Sequence, residues 1–93
     1  MKMNINMKKI VFFLLVQFVA IGAFAQEAAI KEAEVAYTKE DYGKAIELYE
    51  GLLKTHGESA EIYYNLGNAY YKENKIAPAI LNYERALLLD PGD

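Results

Sequence analysis

The sequence predicts an all-α fold in which two antiparallel helix pairs follow a separate N-terminal segment. Three observations support this prediction. An apolar run without charges lies near the N-terminus, at residues 10–25. Further along, apolar side chains recur three and four residues apart, which is the spacing of one helix face. Residues 44–53 also reappear in similar form as residues 78–87. The four helices that these patterns predict span residues 27–38, 42–55, 60–72 and 76–89.

The first 25 residues have the order of features found in a secretory signal peptide. Three lysines precede the apolar run, and Ala23 and Ala25 stand at the two positions where signal peptidase requires small residues. We expect cleavage after Ala25, which would leave Gln26 as the first residue. The alternative is a retained membrane anchor, although the run is short and contains Gln17, whereas a spanning helix needs about 20 apolar residues. Both alternatives place the rest of the chain outside the cytoplasm.

Composition limits the kinds of site and partner. The sequence has no cysteine, which excludes disulfides, cysteine-bound metals and a lipid-modified cysteine at the cleavage position. Residues 26–93 carry 7 Lys and Arg against 13 Asp and Glu, a net charge of −6. Nucleic acids and anionic membrane surfaces attract Lys and Arg. We therefore expect no nucleic-acid partner, and contact with a membrane only through an uncleaved leader.

Local signals mark the ends of the predicted helices. A turn is expected at residues 39–41, and residues 55–58 should separate the two pairs. Ser59 suits the N-cap of the third helix, because its hydroxyl can accept a hydrogen bond from a free backbone N–H. Pro78 fits the first turn of the fourth helix, and DPGD at residues 90–93 ends it. On exposed faces, Glu–Lys pairs four residues apart should add a little stability. The pairs are Glu27–Lys31, Glu40–Lys44 and Glu50–Lys54.

A glycine interrupts the third predicted helix, in the stretch IYYNLGNAYY at residues 62–71. Glycine inside a helix costs about 1 kcal/mol relative to alanine, so its presence needs a structural reason. We interpret Gly67 and Ala79 as small residues that let two helices approach, while large side chains fill the space around the crossing. The large residues are Tyr63, Leu66, Tyr70 and Tyr83, and the corresponding residues of the first pair are Ala33, Ala45 and Tyr49.

Five identical residue pairs with one constant offset reveal an internal repeat. They are Ala45/Ala79, Ile46/Ile80, Tyr49/Tyr83, Glu50/Glu84 and Leu53/Leu87. The offset corresponds to a repeat of about 34 residues that contains two helices, which is typical of tetratricopeptide repeats. Residues 60–93 closely resemble one complete repeat, and the matching positions are Tyr63, Leu66, Gly67, Tyr70, Ala79, Tyr83, Ala86 and Pro91. Residues 26–59 resemble a weaker first repeat, in which Glu32 occupies the position of Leu66. A polar residue there would suit the outer face of a terminal repeat.

The resemblance implies the start of a right-handed solenoid whose concave face binds a protein or peptide partner. The first helix of each pair would line that face. The predicted partner-binding residues are Lys31, Glu34, Tyr37, Glu61, Tyr64, Asn65, Asn68, Tyr71 and Lys72. Asparagine amides can bond a peptide backbone, and tyrosine rings add contact area. The alternative is that the asparagines are ordinary polar residues of a solvated face. Ile30 and Glu34 replace the Lys and Asn with which some family members clamp a terminal carboxylate, so we expect no such clamp.

A leader followed by such repeats is similar to the start of BatE-type proteins of the aerotolerance operon. This resemblance implies a scaffold of the periplasm or cell envelope, and members of that family continue into further segments. The single histidine, His56, lies in the turn between the repeats. No set of residues has the arrangement of a catalytic, cofactor or metal site. We therefore expect neither enzymatic activity nor a cofactor.

The last predicted helix ends in an apolar edge, Leu87–Leu89. Exposed apolar patches are common at interfaces, and stacked repeats stabilise one another. Three explanations stay open: the chain is the first part of a longer array, two copies associate through this edge, or a helix of a partner docks on it.

Overall fold

The structure, a computed structural model, describes residue 9 and residues 24–92 of the chain. Regular secondary structure in these residues is entirely helical. The four helices are α1, whose described part covers residues 24–38, α2 (Tyr42–His56), α3 (Ala60–Lys72) and α4 (Ile76–Leu89). Helices α3 and α4 have the predicted bounds, and α2 ends one residue later than predicted.

Helix α1 is already formed at residue 24, so its predicted start at residue 27 is wrong. Alanine has the highest helix propensity, and the chain passes helically through Ala25, after which we predicted cleavage. Nearly all of the predicted signal peptide lies outside the described residues, and its cleavage stays a prediction. Among the described residues, no helix is both long enough and apolar enough to cross a bilayer.

Helix α3 is central to the described bundle, because it packs against both α2 and α4. One face of α3 contributes Ile62, Leu66 and Ala69 to the main hydrophobic core. The core residues from α1 and α2 are Ala33, Ala36, Ala45, Ile46, Tyr49 and Leu52. Ala33 and Ala45 are fully buried and Tyr49 is nearly so. The small and large positions predicted for the first pair are thus confirmed as buried.

Gly67 allows the close approach of α3 and α4, as predicted. A Cβ atom added to Gly67 would lie 2.7 Å from Cδ1 and Cε1 of Tyr83, and 3.2 Å from the carbonyl oxygen of Ala79. The tyrosine ring therefore occupies the space that a side chain at position 67 would need. The Tyr83 hydroxyl donates a hydrogen bond to Oδ1 of Asn68 at 2.5 Å, which holds the ring across the glycine.

The turns inside the two helix pairs have the same backbone geometry at corresponding positions of the repeat. Glu40 and Asn74 both adopt a positive φ, of 63° and 61°. The residue after each of them donates to a carbonyl five residues back, at 2.9 Å in the first turn and 3.0 Å in the second. Such a turn satisfies carbonyl groups that the end of a helix leaves free. The two turns therefore share one backbone conformation, although the side chains at these positions differ.

The helix N-termini differ between the pairs. Asp41 and Ser59 each accept a hydrogen bond from the backbone N–H three residues later, at 3.3 Å, which confirms Ser59 as the N-cap of α3. Lys75, at the start of α4, makes no side-chain capping hydrogen bond. Its ammonium lies 3.2 Å from a carboxylate oxygen of Glu73. The N-terminus of α4 is therefore the least well capped of the three.

The prediction that Glu–Lys pairs four residues apart add stability is wrong, because none of these pairs forms an ion pair. The ion pair between Lys75 and Glu73 is the single one within residues 24–92. Exposed pairs gain little in water because solvent screens them and long side chains lose freedom. Glu50, one of the predicted partners, instead accepts a hydrogen bond from the hydroxyl of Tyr70.

Asn82 is a buried polar residue on the packed side of α4. It is 4% exposed, and its Nδ2 donates to the carbonyl oxygen of Pro78 at 2.8 Å. Its Oδ1 has no hydrogen-bond partner among the described residues. The corresponding residue of the first pair is Leu48. A buried acceptor without a partner weakens a fold, so α4 is less favourably packed here than α2.

Candidate protein-binding surfaces

The predicted partner-binding residues of α3 lie along its solvent-facing side. Glu61, Tyr64, Tyr71 and Lys72 are exposed, and Asn65 and Asn68 are half-buried. Tyr64 and Tyr71 expose 56% and 58% of their surface. Two aromatic rings, two helical turns apart, are thus presented to solvent on this helix.

The predicted residues of α1 are less uniform. Lys31 and Glu34 are exposed, whereas Tyr37 is half-buried. The Tyr37 ring packs edge-on against the ring of Tyr42, with centroids 5.3 Å apart. Tyr37 therefore joins α1 to α2 and offers only part of its surface to a partner.

Asn68 is engaged inside the structure. Its Oδ1 accepts the hydrogen bond from Tyr83 described above, so this acceptor is already used. Asn68 therefore has a structural role that neither interpretation of the sequence predicted, because the hydrogen bond positions the ring that covers Gly67. No corresponding contact within the described residues assigns Asn65 to the packing of α3 and α4.

Several tyrosine hydroxyls act as structural hydrogen-bond donors. Tyr70 on α3 donates to Oε1 of Glu50 on α2, and Tyr63 donates to Oε1 of Glu58 at 3.0 Å. Burial, followed by the hydrogen bond to Glu50, raises the pKa of Tyr70 to about 12. Burial is also the largest cause that raises the pKa of Tyr49, Tyr63 and Tyr83. These phenols keep their protons at neutral pH, and the hydroxyls of Tyr70 and Tyr83 donate hydrogen bonds from one helix to another.

A groove of about 710 Å³ opens between α3 and α4. The rings of Tyr64 and Tyr83 meet in it, with centroids 5.8 Å apart and planes tilted by 50°. The residues that line it are Ala60, Glu61, Tyr64, Tyr83, Ala86, Leu87 and Asp90. The lining is mainly apolar, and its two carboxylates are those of Glu61 and Asp90. We call this feature the α3/α4 groove.

The predicted apolar edge is exposed, but only part of it belongs to the groove. Leu87, Leu88 and Leu89 expose 56%, 82% and 46% of their surface, and of these Leu87 lines the groove. The groove itself was not predicted from the sequence. The repeat held a signal for it, because Tyr64 and Leu87 correspond to Ile30 and Leu53 of the first pair, which pack against the main core.

Residues with catalytic potential are not brought together in the described part of the chain. His56 is exposed at the end of α2. Within residues 24–92, no group of three His, Asp or Glu side chains is placed to hold a metal ion.

Comparison with known proteins agrees with this geometry. Residues 60–93, which contain α3, α4 and the turn between them, match the family model described as "Tetratricopeptide repeat". Residues 60–93 carry a tetratricopeptide repeat signature. The chain is also 29% identical over 76 residues to Tetratricopeptide repeat protein 21B of Xenopus laevis, an alignment that covers 75% of this chain. This chain spans 6% of the length of that relative.

Both findings are similarities of this chain to tetratricopeptide repeat proteins. The alignment to the relative is longer than one repeat, so it extends beyond residues 60–93. Tetratricopeptide repeats generally mediate protein–protein interaction and are typically non-catalytic modules. An array of such repeats presents extended binding surfaces to its partners.

Proposed function

We propose that this protein is a non-catalytic scaffold that binds an extended segment of a partner protein on the solvent-facing side of α1 and α3. The exposure of Tyr64 and Tyr71 is the observation that supports this proposal most directly. Tyrosine gives a large contact area at a small entropic cost. Asn65, between them in sequence, can donate to and accept from a peptide backbone. We call this surface, which is formed by the predicted partner-binding residues of both helices, the α1/α3 face.

A site-specific photo-crosslinker in place of Tyr71, in the full chain, tests the α1/α3 face. A matched chain carries the crosslinker in place of Glu84, an exposed residue of α4 outside both surfaces. We expect one protein adduct at position 71 and none at position 84. With the purified partner, Tyr71→Ala should weaken binding about tenfold, the effect of losing an interface aromatic residue. Equal labelling at both positions, or binding that Tyr71→Ala leaves unchanged, would contradict the proposal.

We also propose that the scaffold acts outside the cytoplasm, in the periplasm or cell envelope, as the N-terminal part of a BatE-like protein. Support comes from the order of the leader: three lysines, the apolar run of residues 10–25 and its small C-terminal residue, Ala25. A fusion of the full chain to a reporter enzyme that is active only after export tests this location in bacteria. Replacing Leu14 and Leu15 with arginine should abolish reporter activity, because charges within the apolar run prevent insertion. Mass spectrometry should find Gln26 at the N-terminus of the exported protein.

A further inference from the structure

Tyr49 is a buried tyrosine whose hydroxyl has no hydrogen-bond partner among the described residues. It is 2% exposed and belongs to the core that joins α1, α2 and α3. The hydroxyls of Tyr63, Tyr70 and Tyr83 each donate to a side chain of the described fold, whereas that of Tyr49 does not. The side-chain atom of residues 24–92 that is both enclosed and without a partner is Oδ1 of Asn82. The Tyr49 oxygen is therefore not enclosed and stays within reach of a ligand.

The second helix pair shows where the Tyr49 hydroxyl points. Tyr83 corresponds to Tyr49, and Asn68, which accepts the Tyr83 hydrogen bond at 2.5 Å, corresponds to Glu34. The Tyr49 hydroxyl therefore points towards the side of α1 that carries Glu34, on the α1/α3 face. Within the described residues no hydrogen bond joins Tyr49 to Glu34, so the phenol and the carboxylate are both available to a ligand.

Two carboxylates lie near this hydroxyl, one from each helix of the face. Burial is the largest cause that raises the pKa of Tyr49, and the negative charges of Glu34 on α1 and Glu61 on α3 raise it further. A charge shifts a pKa in this way only from nearby. Both carboxylates belong to exposed residues. The hydroxyl thus lies where α1 and α3 each place a negative charge.

The two carboxylates have no cation bound to them in the described part of the chain, because the ion pair there joins Lys75 to Glu73. Lys72 lies eleven residues after Glu61, about 16 Å along the helix, and salt screens charges over such a distance. Lys31 lies one turn from Glu34 on α1. It can offset the charge of Glu34 but not that of Glu61 on the neighbouring helix.

An arginine side chain matches this arrangement of acceptors. The guanidinium group has five N–H donors in one plane and no acceptor, so it can serve two carboxylates and a phenol oxygen together. The half-buried ring of Tyr37, whose phenol also influences Tyr49, adds an aromatic surface on which a guanidinium stacks favourably. An acidic side chain would be repelled by both carboxylates.

The stacking of helix pairs leaves this place open. Helix α3 packs on the first pair and contributes to the core, yet Lys31 and Glu34 stay exposed. Any further pair that packs on the α3/α4 groove as α3 packs on the first pair would also leave the α1/α3 face exposed. The place therefore suits a segment that runs along this face.

We propose that Glu34, Glu61 and the hydroxyl of Tyr49 bind an arginine side chain of the partner segment. This inference rests on the proposed function, because it takes the α1/α3 face as the surface that binds the partner. It adds the chemistry of that partner, which carries a basic residue where it passes from α1 to α3. We call these three residues the Tyr49 site.

Three matched heptapeptides probe the Tyr49 site in the full-length protein, labelled with ¹⁵N. Each alternates serine and alanine around a central arginine, citrulline or glutamate. Citrulline has the shape of arginine without its charge. In low-salt buffer, NMR titration should show the arginine peptide binding about fivefold more tightly than the citrulline peptide, the effect of exposed ion pairs. The glutamate peptide should bind most weakly, and the differences should shrink as salt is added.

Variants of the protein locate the binding. Glu34→Gln and Glu61→Gln should each weaken binding of the arginine peptide about threefold and leave that of the citrulline peptide unchanged. Glu32→Gln is the matched control, because it removes the same charge from an exposed residue of α1, and residues two apart do not share a helix face. Tyr49→Phe should also reduce the preference for arginine. Lys31→Gln should tighten binding about twofold by removing a competing cation. Circular dichroism checks that each variant folds.

Several results would overturn the proposal. They are equal affinity for the arginine and citrulline peptides, binding of neither, or the same loss in Glu32→Gln as in Glu34→Gln. A photo-crosslinker in place of Asn65 identifies the occupant. An adduct with the arginine peptide supports the proposal, whereas an adduct with another part of the same chain, such as the lysines of the leader, overturns it.

Failure of this inference is distinguishable from failure of the proposed function. If Tyr71→Ala weakens binding of the purified partner but Glu34→Gln and Glu61→Gln do not, the Tyr49 site is wrong and the α1/α3 face stands. If the crosslinker at position 71 labels no partner, the proposed function itself fails.

Discussion

The two helix pairs of this protein share a backbone plan but differ in what covers them. Both turns place one residue at a positive φ close to 60°, and both pairs bury an alanine at the corresponding position of their second helix, Ala45 and Ala79. In the first pair, however, Tyr49 is covered by the core that includes α3. In the second pair, Tyr83 lines a groove that no described residue fills. The comparison shows that the same repeat pattern forms a buried interior where a helix packs on it and an open, mainly apolar groove where no described residue does.

The largest contrast is expected at Leu66 and its counterpart, Glu32. Leu66 is 2% exposed in the core, whereas Glu32 is exposed on α1. Leu66→Ala should lower the free energy of unfolding by about 3 kcal/mol, because it removes buried apolar atoms and leaves a cavity. Glu32→Ala should change it by less than about 0.5 kcal/mol. Urea denaturation followed by circular dichroism measures both, and similar losses would contradict the assignment of covered and outer faces.

Alkaline pH should weaken the contact between the pairs. In the unfolded chain, Tyr70 ionises near pH 10, whereas the folded state raises its pKa to about 12. Above pH 10 the folded state thus binds more protons than the unfolded one. The stabilisation is therefore complete below pH 10 and is lost as the pH rises from 10 to about 12.

Two matched variants test this pH dependence. Tyr70→Phe should reduce the loss of stability in the alkaline range, because it removes the phenol that donates to Glu50. Tyr71→Phe, at an exposed neighbour, should preserve the wild-type dependence. Urea denaturation at a series of pH values gives the slopes, and identical slopes for wild type and Tyr70→Phe would exclude Tyr70 as a cause.

Gly67 and Gly51 should respond to alanine with opposite signs. A Cβ at Gly67 would overlap the Tyr83 ring, whereas one at Gly51 meets nothing within 4 Å. Gly51→Ala should stabilise the fold by about 1 kcal/mol through helix propensity. Gly67→Ala should destabilise it by about 1 kcal/mol, because overpacking exceeds the same propensity gain. Thermal melts of both variants measure the difference, and stabilisation by Gly67→Ala would show that the ring moves away at little cost.

Asn82 can be tested against its counterpart, Leu48. Asn82→Leu should raise the free energy of unfolding by about 1 kcal/mol, since it removes a buried acceptor that lacks a partner among the described residues. Asn82→Asp should lower it at neutral pH, because a charge would be buried at the same site. If chemical denaturation finds the leucine variant less stable than wild type, the extra volume matters more than the lost polar atom.

The smallest effect is expected at the start of α4. Lys75 supplies no capping acceptor, whereas Asp41 caps α2. Lys75→Asp should stabilise the protein by about 0.5 kcal/mol by accepting from a backbone N–H of the first turn. Lys75→Ala is the control, because it removes the ion pair with Glu73 without adding a cap. Equal stabilities of these two variants in urea would contradict the role assigned to the cap.

Sequence alone determined the four helices of the described residues, the bounds of α3 and α4, the Ser59 cap and the use of Gly67 as a point of close approach. These features follow from local rules: spacing of apolar residues, capping chemistry and a repeat that restates the same pattern. Tertiary structure decided which partners the long side chains contact. Tyr83 lies across Gly67 and engages Asn68, and Glu50 bonds to Tyr70 instead of Lys54. Those outcomes depend on which helix faces lie against one another, because a hydrogen bond across helices requires both partners to be placed by the fold. The α3/α4 groove likewise depends on the tertiary structure, because it forms between two packed helices that no described helix covers.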